Sequence, residues 1–290
     1  MPLSVNEQKK TGQMREVWHR LVRNKTAMVG LIVISLLILM SVFAPLIVSY
    51  DSVRETNAEE KYQPPSAEHP FGTDDMGRDY FARIVYGGRA SLSIGFICVA
   101  VAMSIGLILG ASAAYFSGAA DSIIMRIMDV LSCIPSILLA LVIVAALGPG
   151  LVNLIIAITI STVPTFTRVI RASVLPIVGQ DFIEAARACG TRHPRIVLRH
   201  ILPNAMGPII VQATMALSQI IIAAAGLSFI GMGIQPPAPE WGAMLSNART
   251  YIMTSPYLII FPGIFIVLAA LSLNLLGDGL RDALDPRLRD

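Results

Sequence analysis

Charged side chains are scarce in this chain. Asp, Glu, Lys and Arg make up 14% of its 290 residues, whereas 54% are hydrophobic and the mean hydropathy is +0.68. Soluble domains carry about 25% charged residues. The shortage of charge excludes an ordinary soluble domain and predicts an integral membrane protein.

Cysteine and histidine are also few, at three and four residues. Cys98 and Cys133 fall in apolar stretches and Cys189 in a polar segment, so no disulfide framework is indicated. No histidine has a second Cys or His at the spacing of a structural zinc site. We therefore expect neither a metal ion nor another cofactor in this chain.

The long apolar stretches lack acidic residues and histidines near their middle, where carriers coupled to protons or sodium ions usually place them. Milder polar residues remain in one stretch, namely Gln212, Ser218 and Gln219. They are candidates for lining a translocation path, although hydrogen bonding between helices is the more common use of such residues.

A nucleotide-binding loop of the G-x-x-x-x-G-K-[ST] type is absent as well, because none of the four lysines lies in that context. If transport is driven by ATP, another polypeptide must hydrolyse the ATP. No nucleic-acid partner is expected.

Six segments are long and apolar enough to cross roughly 30 Å of hydrocarbon as helices. Gly148, Pro149 and Gly150 form a turn signal that separates the third segment from the fourth. The predicted spans cover residues 27–48, 92–116, 123–147, 151–170, 205–233 and 256–276. A ridge of small residues in the second span predicts close packing against another helix of this chain or of a second subunit. The ridge comprises Ala102, Gly106, Gly110, Ala114 and Gly118.

Lys and Arg are concentrated in segments that the positive-inside rule assigns to the cytoplasm, so both termini are predicted to be cytoplasmic. The predicted parts are a basic amphipathic segment (1–26), a first transmembrane helix (27–49), an extracytoplasmic loop (50–90), a core with five transmembrane helices (91–278) that contains a cytoplasmic loop (173–203), and a cytoplasmic tail (279–290). Residues 14–22 have the periodicity of a helix in the headgroup layer, and an ordinary basic flank is an equally good interpretation.

The polar segment after the fourth span is the strongest functional signal. Each of its Asp, Glu and Arg residues would cost about 2.5 to 3.5 kcal/mol at the bilayer centre, so the segment is expected to lie in water. We predict two short helices, with Asp181 and Glu184 forming a capping box, Gly190 supplying a left-handed corner and Thr191 capping the second helix. The resulting hairpin is either a docking surface or a loop that covers the inner ends of the spans.

The spacing in this hairpin resembles the E-A-A-x-x-x-G signature of bacterial ABC importer permeases. The residues that carry the resemblance are Glu184, Ala185, Ala186, Gly190, Leu202 and Pro203. His200 stands where that family usually has isoleucine, with Ile201 beside it. The resemblance implies a type I ABC importer transmembrane domain in which these residues couple the permease to a cytoplasmic ATPase.

Residues 71–79, 86–92, 231–242 and 277–286 resemble the second, or C-type, permease subunit of dipeptide, oligopeptide and nickel importers. This likeness extends over nearly the whole chain. It implies a complex in the bacterial plasma membrane with a homologous second permease, two ABC ATPase subunits that bind ATP and Mg²⁺, and an extracytoplasmic solute-binding protein. Peptides are the expected solute, with nickel or glutathione as alternatives, and the chain itself is not expected to be an enzyme.

Two outer loops are candidate contacts for the binding protein. Asp74, Arg78 and Asp79 lie in the first loop, although local ion pairing is the more common use of such an arginine. Trp241 lies in the second loop and is expected at the membrane interface. Two other classes of protein stay open, namely a membrane enzyme that binds Mg²⁺ through Asp74, Asp75 and Asp79, and a carrier driven by an ion gradient.

Overall fold

The computed structural model describes residues 15–284, which are mostly helical. Within that range, β structure is limited to an isolated bridge between Thr73 and Asp79. The principal helices are α1 (15–23), α2 (Lys25–Val42), α3 (Tyr80–Phe116), α4 (Gly118–Ser132), α5 (Ser136–Leu147), α6 (Leu151–Val178), α7 (Asp181–Ala188), α8 (His193–Phe229), α9 (Trp241–Ala248) and α10 (Tyr257–Leu284). Short helical turns occur at Ala44–Ile47, Asp51–Arg54, Ala58–Glu60 and Arg249–Tyr251. Residues 1–14 of the predicted amphipathic segment and 285–290 of the predicted tail lie outside the described residues.

The membrane-spanning helices follow the apolar pattern of the sequence. In the described part of the chain, α2, α3, α6, α8 and α10 are each long and apolar enough to cross a membrane, and the bent pair of α4 and α5 makes a sixth span when it is counted as one. The prediction of an all-α, multi-pass membrane protein is therefore confirmed.

The third predicted span is not one straight helix. α4 and α5 meet at an angle of 82°. Pro135 causes the break, because it lacks a backbone N–H and adopts an extended ψ of 132° before α5 begins. On the cytoplasmic side of the break, Arg171 of α6 holds Asp121 of α4 through two hydrogen bonds of 2.6 and 2.5 Å. Arg168 of α6 also donates a hydrogen bond of 2.9 Å to Asp129 of α4, so two ion pairs hold α4 against α6.

α3 is longer than the sequence predicts, because it begins at Tyr80 and includes residues 80–90 of the predicted extracytoplasmic loop. Asp79 explains the early start. Its carboxylate accepts a hydrogen bond of 2.7 Å from the Ala82 backbone N–H, which caps the first turn. Asn24 caps α2 in the same way through the Ala27 N–H at 3.2 Å.

The small-residue ridge of α3 packs against α6 of the same chain. A Cβ built on Gly106 would lie 2.8 Å from the Phe166 Cβ, and one built on Gly110 would lie 2.6 Å from the Thr167 carbonyl oxygen. Gly118 was predicted as part of this ridge, but it begins α4 with a φ of +57° and has no neighbour within 4 Å. The ridge therefore ends where the helix ends.

α10 lies between α2 and α8 and is also approached closely at glycines. A Cβ on Gly30 of α2 would lie 2.5 Å from the Ser272 carbonyl oxygen, and one on Gly277 would lie 2.9 Å from the Met215 Cγ. At the cytoplasmic end, Leu21 of α1 packs in a small apolar cluster with Ala283 of α10. The described part of the amphipathic segment is thus helical and is fixed to the last helix.

Replacing Gly110 by alanine should destabilise the bundle, because the new methyl group would overlap the backbone of α6. Overpacking of this kind costs about 1–3 kcal/mol. Gly226→Ala is the matched control, since Gly226 is also helical but a Cβ built on it would have no neighbouring atom within 4 Å. We expect a lower melting temperature in detergent for Gly110→Ala and an unchanged or slightly higher one for Gly226→Ala. Equal melting temperatures would contradict the close contact.

Candidate functional site

The polar hairpin consists of α7 and the first turns of α8, but its helix caps differ from those predicted. Gln180 and Arg192 occupy the cap positions, and neither side chain makes a capping hydrogen bond. Asp181 is already the first helical residue, because Gln180 takes the extended conformation before it. The capping box and the Thr191 cap are therefore wrong, and Asp181 acts on the helix only through the favourable charge of its first turn.

The corner of the hairpin forms as predicted. Gly190 has a φ of +73°, a conformation that residues with a Cβ rarely adopt. Its N–H donates to the Arg187 carbonyl at 2.9 Å, and the Thr191 N–H donates to the Ala186 carbonyl at 3.1 Å. These two bonds define a Schellman motif, which ends α7 and turns the chain toward α8.

One face of the hairpin is apolar and packs against the helix bundle. Ile183, Ile196 and Ile201 are fully buried. Ile201 is the last residue of a π-helical turn, Val197–Ile201, inside α8. In that turn Ile201 faces the core and His200 is only half-buried, so isoleucine still fills the buried position although the family's usual position holds histidine.

The opposite face of the hairpin is open. Glu184 and Ala185 are exposed and Ala186 is half-buried. Two apolar side chains that the sequence analysis missed are also exposed, Phe182 at 41% and Leu198 at 66%. The sequence could have indicated their exposure, because each is a large apolar residue next to charged residues in a segment predicted to lie in water.

Leu202 and Pro203 lie where the π turn gives way to the regular helix of α8, Leu202–Phe229. Leu202 is half-buried and Pro203 is exposed. They continue the hairpin into the membrane-spanning part of α8 rather than lying at its corner.

The polar residues predicted for a translocation path do not form one group. Ser218 is fully buried, and its hydroxyl donates to the Ala270 carbonyl at 3.0 Å, so it ties α8 to α10. Gln212 is half-buried and Gln219 is exposed on the surface of the chain. Among the residues 15–284, neither amide makes a side-chain hydrogen bond, which leaves both available to a path formed with another subunit.

We call the extracytoplasmic residues 48–79 and 231–240 together the cap. Asp74 is the centre of a buried charge cluster that holds the cap together. The carboxylate pairs with Arg78 at 2.7 Å and with Arg83 at 3.3 Å. Arg83 also donates to the carbonyls of Val53 and Pro237, each at 3.3 Å. One carboxylate therefore connects both outer loops, and Asp74 and Arg78 are only 5% and 6% exposed.

Asp79 links the cap to α3. One carboxylate oxygen caps the helix, and the other lies 3.0 Å from the His69 Nδ1. Glu60 lies 3.5 Å from the other imidazole nitrogen. The hydrogen bond with Asp79 raises the pKa of His69, and the negative charges of Asp79, Glu60 and Glu68 act in the same direction, although burial opposes them.

Trp241 is not an exposed residue of the kind that anchors a protein in the headgroup layer. Its side chain is fully buried, and its indole N–H donates to the Ile84 carbonyl at 3.0 Å. Gly87 and Gly88 make room for the ring, since a Cβ on Gly88 would lie 2.9 Å from it. A residue that sequence analysis did not single out holds this region together, because buried Glu240 accepts hydrogen bonds from two N–H groups of α9 and from Ser91.

The acidic residues of the first outer loop do not converge on a cation site. Asp74 faces two arginines, Asp75 lies 3.5 Å from Arg78, and Asp79 faces the α3 N-terminus and His69. In the described part of the chain, no group of three or more His, Cys, Asp or Glu side chains could hold a metal ion. These carboxylates build the cap.

A family model described as the binding-protein-dependent transport system inner membrane component matches residues 102–290. A second model, the N-terminal TM domain of oligopeptide transport permease C, matches residues 12–65. The chain belongs to this permease family. It is therefore a multi-pass transport subunit of the inner membrane.

Similar permeases match over almost their full length. The chain is 50% identical to the dipeptide transport system permease protein DppC of Alkalihalophilus pseudofirmus over 275 residues, which cover 95% of this chain and 90% of the relative. It is 44% identical over 289 residues to the glutathione transport system permease protein GsiD of Escherichia coli O157:H7, covering 100% and 95% of the two chains.

The fold of the permease is that of a type I ABC importer. A solved inward-facing structure of the MetNI methionine ABC transporter superposes with a TM-score of 0.58 at 22% sequence identity, covering 71% of this chain and 97% of that chain. At 22% identity the likeness shows a shared fold.

Removing the charge of Asp74 should destabilise the permease strongly. Asp74→Asn would leave Arg78 and Arg83 buried without their carboxylate, and breaking a buried pair in this way costs about 3–5 kcal/mol. Asp75→Asn is the control, because Asp75 is more exposed and only 3.5 Å from Arg78, and a pair of that kind contributes less than about 1 kcal/mol. Thermal unfolding in detergent measures the melting temperatures of both variants. Similar melting temperatures would contradict Asp74 as the centre of the charge cluster that holds the cap.

Acid should stabilise the cap through His69. A raised pKa in the folded state means that the contribution is complete below the unfolded value of about 6.5 and is lost as the pH rises through the folded value. Hydrogen exchange of residues 57–79, corrected for its intrinsic pH dependence, should therefore become faster toward alkaline pH. His69→Ala should remove that trend. A trend that persists in the variant would assign the effect to another group.

Proposed function

We propose that this chain is one of two permease subunits of an ATP-driven importer of di- or oligopeptides. Two separate ABC ATPase subunits, a homologous second permease and an extracytoplasmic solute-binding protein complete the complex. The single observation that carries the proposal is the hairpin of α7 and α8, which projects from the bundle with its corner at Gly190. The peptide assignment rests on the dipeptide permease that is 50% identical over 95% of this chain.

The open face of the hairpin is a surface suited to a protein partner. Phe182 and Leu198 expose apolar side chains beside Glu184 and several arginines, and an apolar surface rimmed by polar residues is typical of an interaction site. Ala185 adds no bulk, so a groove in the partner can approach the α7 backbone closely. The ATPase subunit is the partner that we infer for this face, with Glu184, Ala185, Ala186 and Gly190 at the contact.

Transport then needs no covalent chemistry in this chain. ATP binding in the ATPase subunits draws the hairpins of the two permeases together, and the connected helices α6 and α8 tilt with them. The path for the solute lies between the two permeases and opens to each side in turn. Gln212 and Gln219, whose amides make no hydrogen bond in the described part of the chain, are the residues that we assign to it.

The cap is the surface that we assign to the binding protein. Asp74, Arg78 and Trp241 are buried, so their part in this contact is to hold the loops in shape. Asp79 does the same through the α3 N-terminus. The groups that a partner can reach lie beside them, with the second loop exposed at 235–238.

Glutathione is a second candidate solute, because a glutathione permease matches the whole chain at 44% identity. Glutathione is itself a tripeptide, and the same path and mechanism would serve it. The choice between the two solutes therefore depends on the binding protein.

Uptake by the reconstituted complex tests the proposal. The chain is assembled in liposomes with the second permease, the ATPases and the binding protein of its importer, and uptake of a labelled dipeptide is measured with glutathione as competitor. We expect uptake that requires ATP inside and binding protein outside. Uptake by this chain alone, driven by an ion gradient, would refute the assignment.

Gly190→Val should abolish coupled uptake at normal membrane levels. A Cβ built on Gly190 would have no neighbouring atom within 4 Å, so the effect comes only from forcing a β-branched residue into the left-handed conformation. Gly179→Val is the control, because Gly179 is in equally open space but has an ordinary φ of −91°. We expect uptake near the normal level for Gly179→Val. Normal uptake by Gly190→Val would show that the corner is not needed for coupling.

A further inference from the structure

The cytoplasmic end of α3 makes a specific contact with the hairpin. The Tyr115 hydroxyl lies 2.7 Å from the His193 Nδ1, and His193 is the first residue of α8. The Arg187 guanidinium, in the last turn of α7, lies 4.9 Å from the centre of the Tyr115 ring. Tyr115 is only 6% exposed. A single side chain of α3 thus contacts both arms of the hairpin, on either side of the corner.

This contact differs in kind from the rest of the attachment. Within residues 15–284, the hairpin residues 181–201 make one side-chain hydrogen bond to another helix, and that bond is Tyr115 to His193. Their remaining contacts with the bundle are the chain itself, the ring contacts of Arg187 and His193 with Tyr115 and Phe116, and the apolar packing of Ile183, Ile196 and Ile201. Apolar side chains can shift against one another and stay in contact. A hydrogen bond, or a cation over a ring, constrains the direction and the distance between the two groups that form it.

α3 extends from this contact to the cap on the opposite side of the membrane. Its 37 residues rise about 55 Å at 1.5 Å each. Asp79 caps its outer end, and the Ile84 carbonyl accepts the hydrogen bond from Trp241. Gly106 packs it against α6. A displacement at Tyr115 therefore moves a rigid, closely packed helix whose other end lies in the cap.

We propose that Tyr115 is a positioning residue that transmits the movement of the hairpin to α3 and through it to the cap. The hairpin is joined by the chain to α6 and α8, but α3 is reached only by contact. Without the hydroxyl, the ATPases still bind and move the hairpin, but the movement of α3 is coupled less tightly to that of the hairpin. This inference rests on the proposed function, because it assumes that an ATPase moves the hairpin.

The test is the number of ATP molecules hydrolysed per peptide taken up by the complete importer in liposomes. Tyr115→Phe removes the hydroxyl and keeps the ring, its packing and the contact with Arg187. The net strength of one neutral hydrogen bond corresponds to about two- to tenfold in an equilibrium. We expect the ATP consumed per peptide to rise by about that factor, while the copurified amount of ATPase subunit stays unchanged.

Ser104→Ala is the control. Ser104 lies on the same helix, and its hydroxyl donates a hydrogen bond of 2.7 Å to the Ala100 carbonyl of α3 itself, so its loss leaves the contacts of α3 with the hairpin and with the cap intact. The loss of this hydroxyl should leave the ratio of ATP to peptide unchanged. An unchanged ratio in Tyr115→Phe, or an equal rise in both variants, would overturn the proposal.

A double variant separates transmission from general damage. If the hydroxyl and the imidazole act through one bond, Tyr115→Phe combined with His193→Ala should raise the ratio no further than His193→Ala alone. Effects that multiply would contradict a shared contact. Absence of ATP-dependent uptake by the unmodified complex would refute the proposed function itself, and it would do so before any variant is compared.

Discussion

Close approach between helix backbones at glycine is the constraint on which this structure depends. Lipid tails are as apolar as the side chains they surround, so helices in a membrane associate through tight packing rather than through exclusion of water. α3 contacts α8 at Gly95 and α6 at Gly106 and Gly110, and at each of these glycines a Cβ would lie within 3.0 Å of a neighbouring atom. This packing fixes α3 in the bundle, and both specialised regions of the permease are built at its ends.

The charged side chains are concentrated at the two ends of the helix bundle, and their pairing differs between the ends. Outside, Asp74 is buried with two arginines, so its charge is neutralised within the fold and holds the loops in one arrangement. Inside, Asp121 pairs with Arg171 to fix α4, whereas the hairpin residues form no ion pair with one another or with the rest of the described chain. The charges of the outer cluster are therefore paired within the chain, whereas those of the hairpin have no ion-pair partner among the described residues.

Local sequence information predicted the apolar spans and the left-handed corner at Gly190, because hydropathy and backbone preference are properties of short segments. It failed where a distant residue decides the outcome. Trp241 is buried because Gly87 and Gly88, far away in the chain, leave space for its ring. A second error was local, because Asp181 was assigned as a cap although the adjacent Gln180 takes the extended conformation and occupies that position. The residues of the outer motif were recognised, but whether each faces a partner or the interior could be read only from the packed loops.

The break at Pro135 leaves α5 with 12 residues, a rise of about 18 Å. A helix of that length covers little more than half of an ordinary bilayer core of about 30 Å. α4 continues this span but leaves the axis of α5 at 82°, and Ile137 and Leu138 expose about half of their side chains there. A mismatch in hydrophobic length between this subunit and its membrane would therefore fall at this span, where lipid or a neighbouring subunit has to cover the exposed side chains.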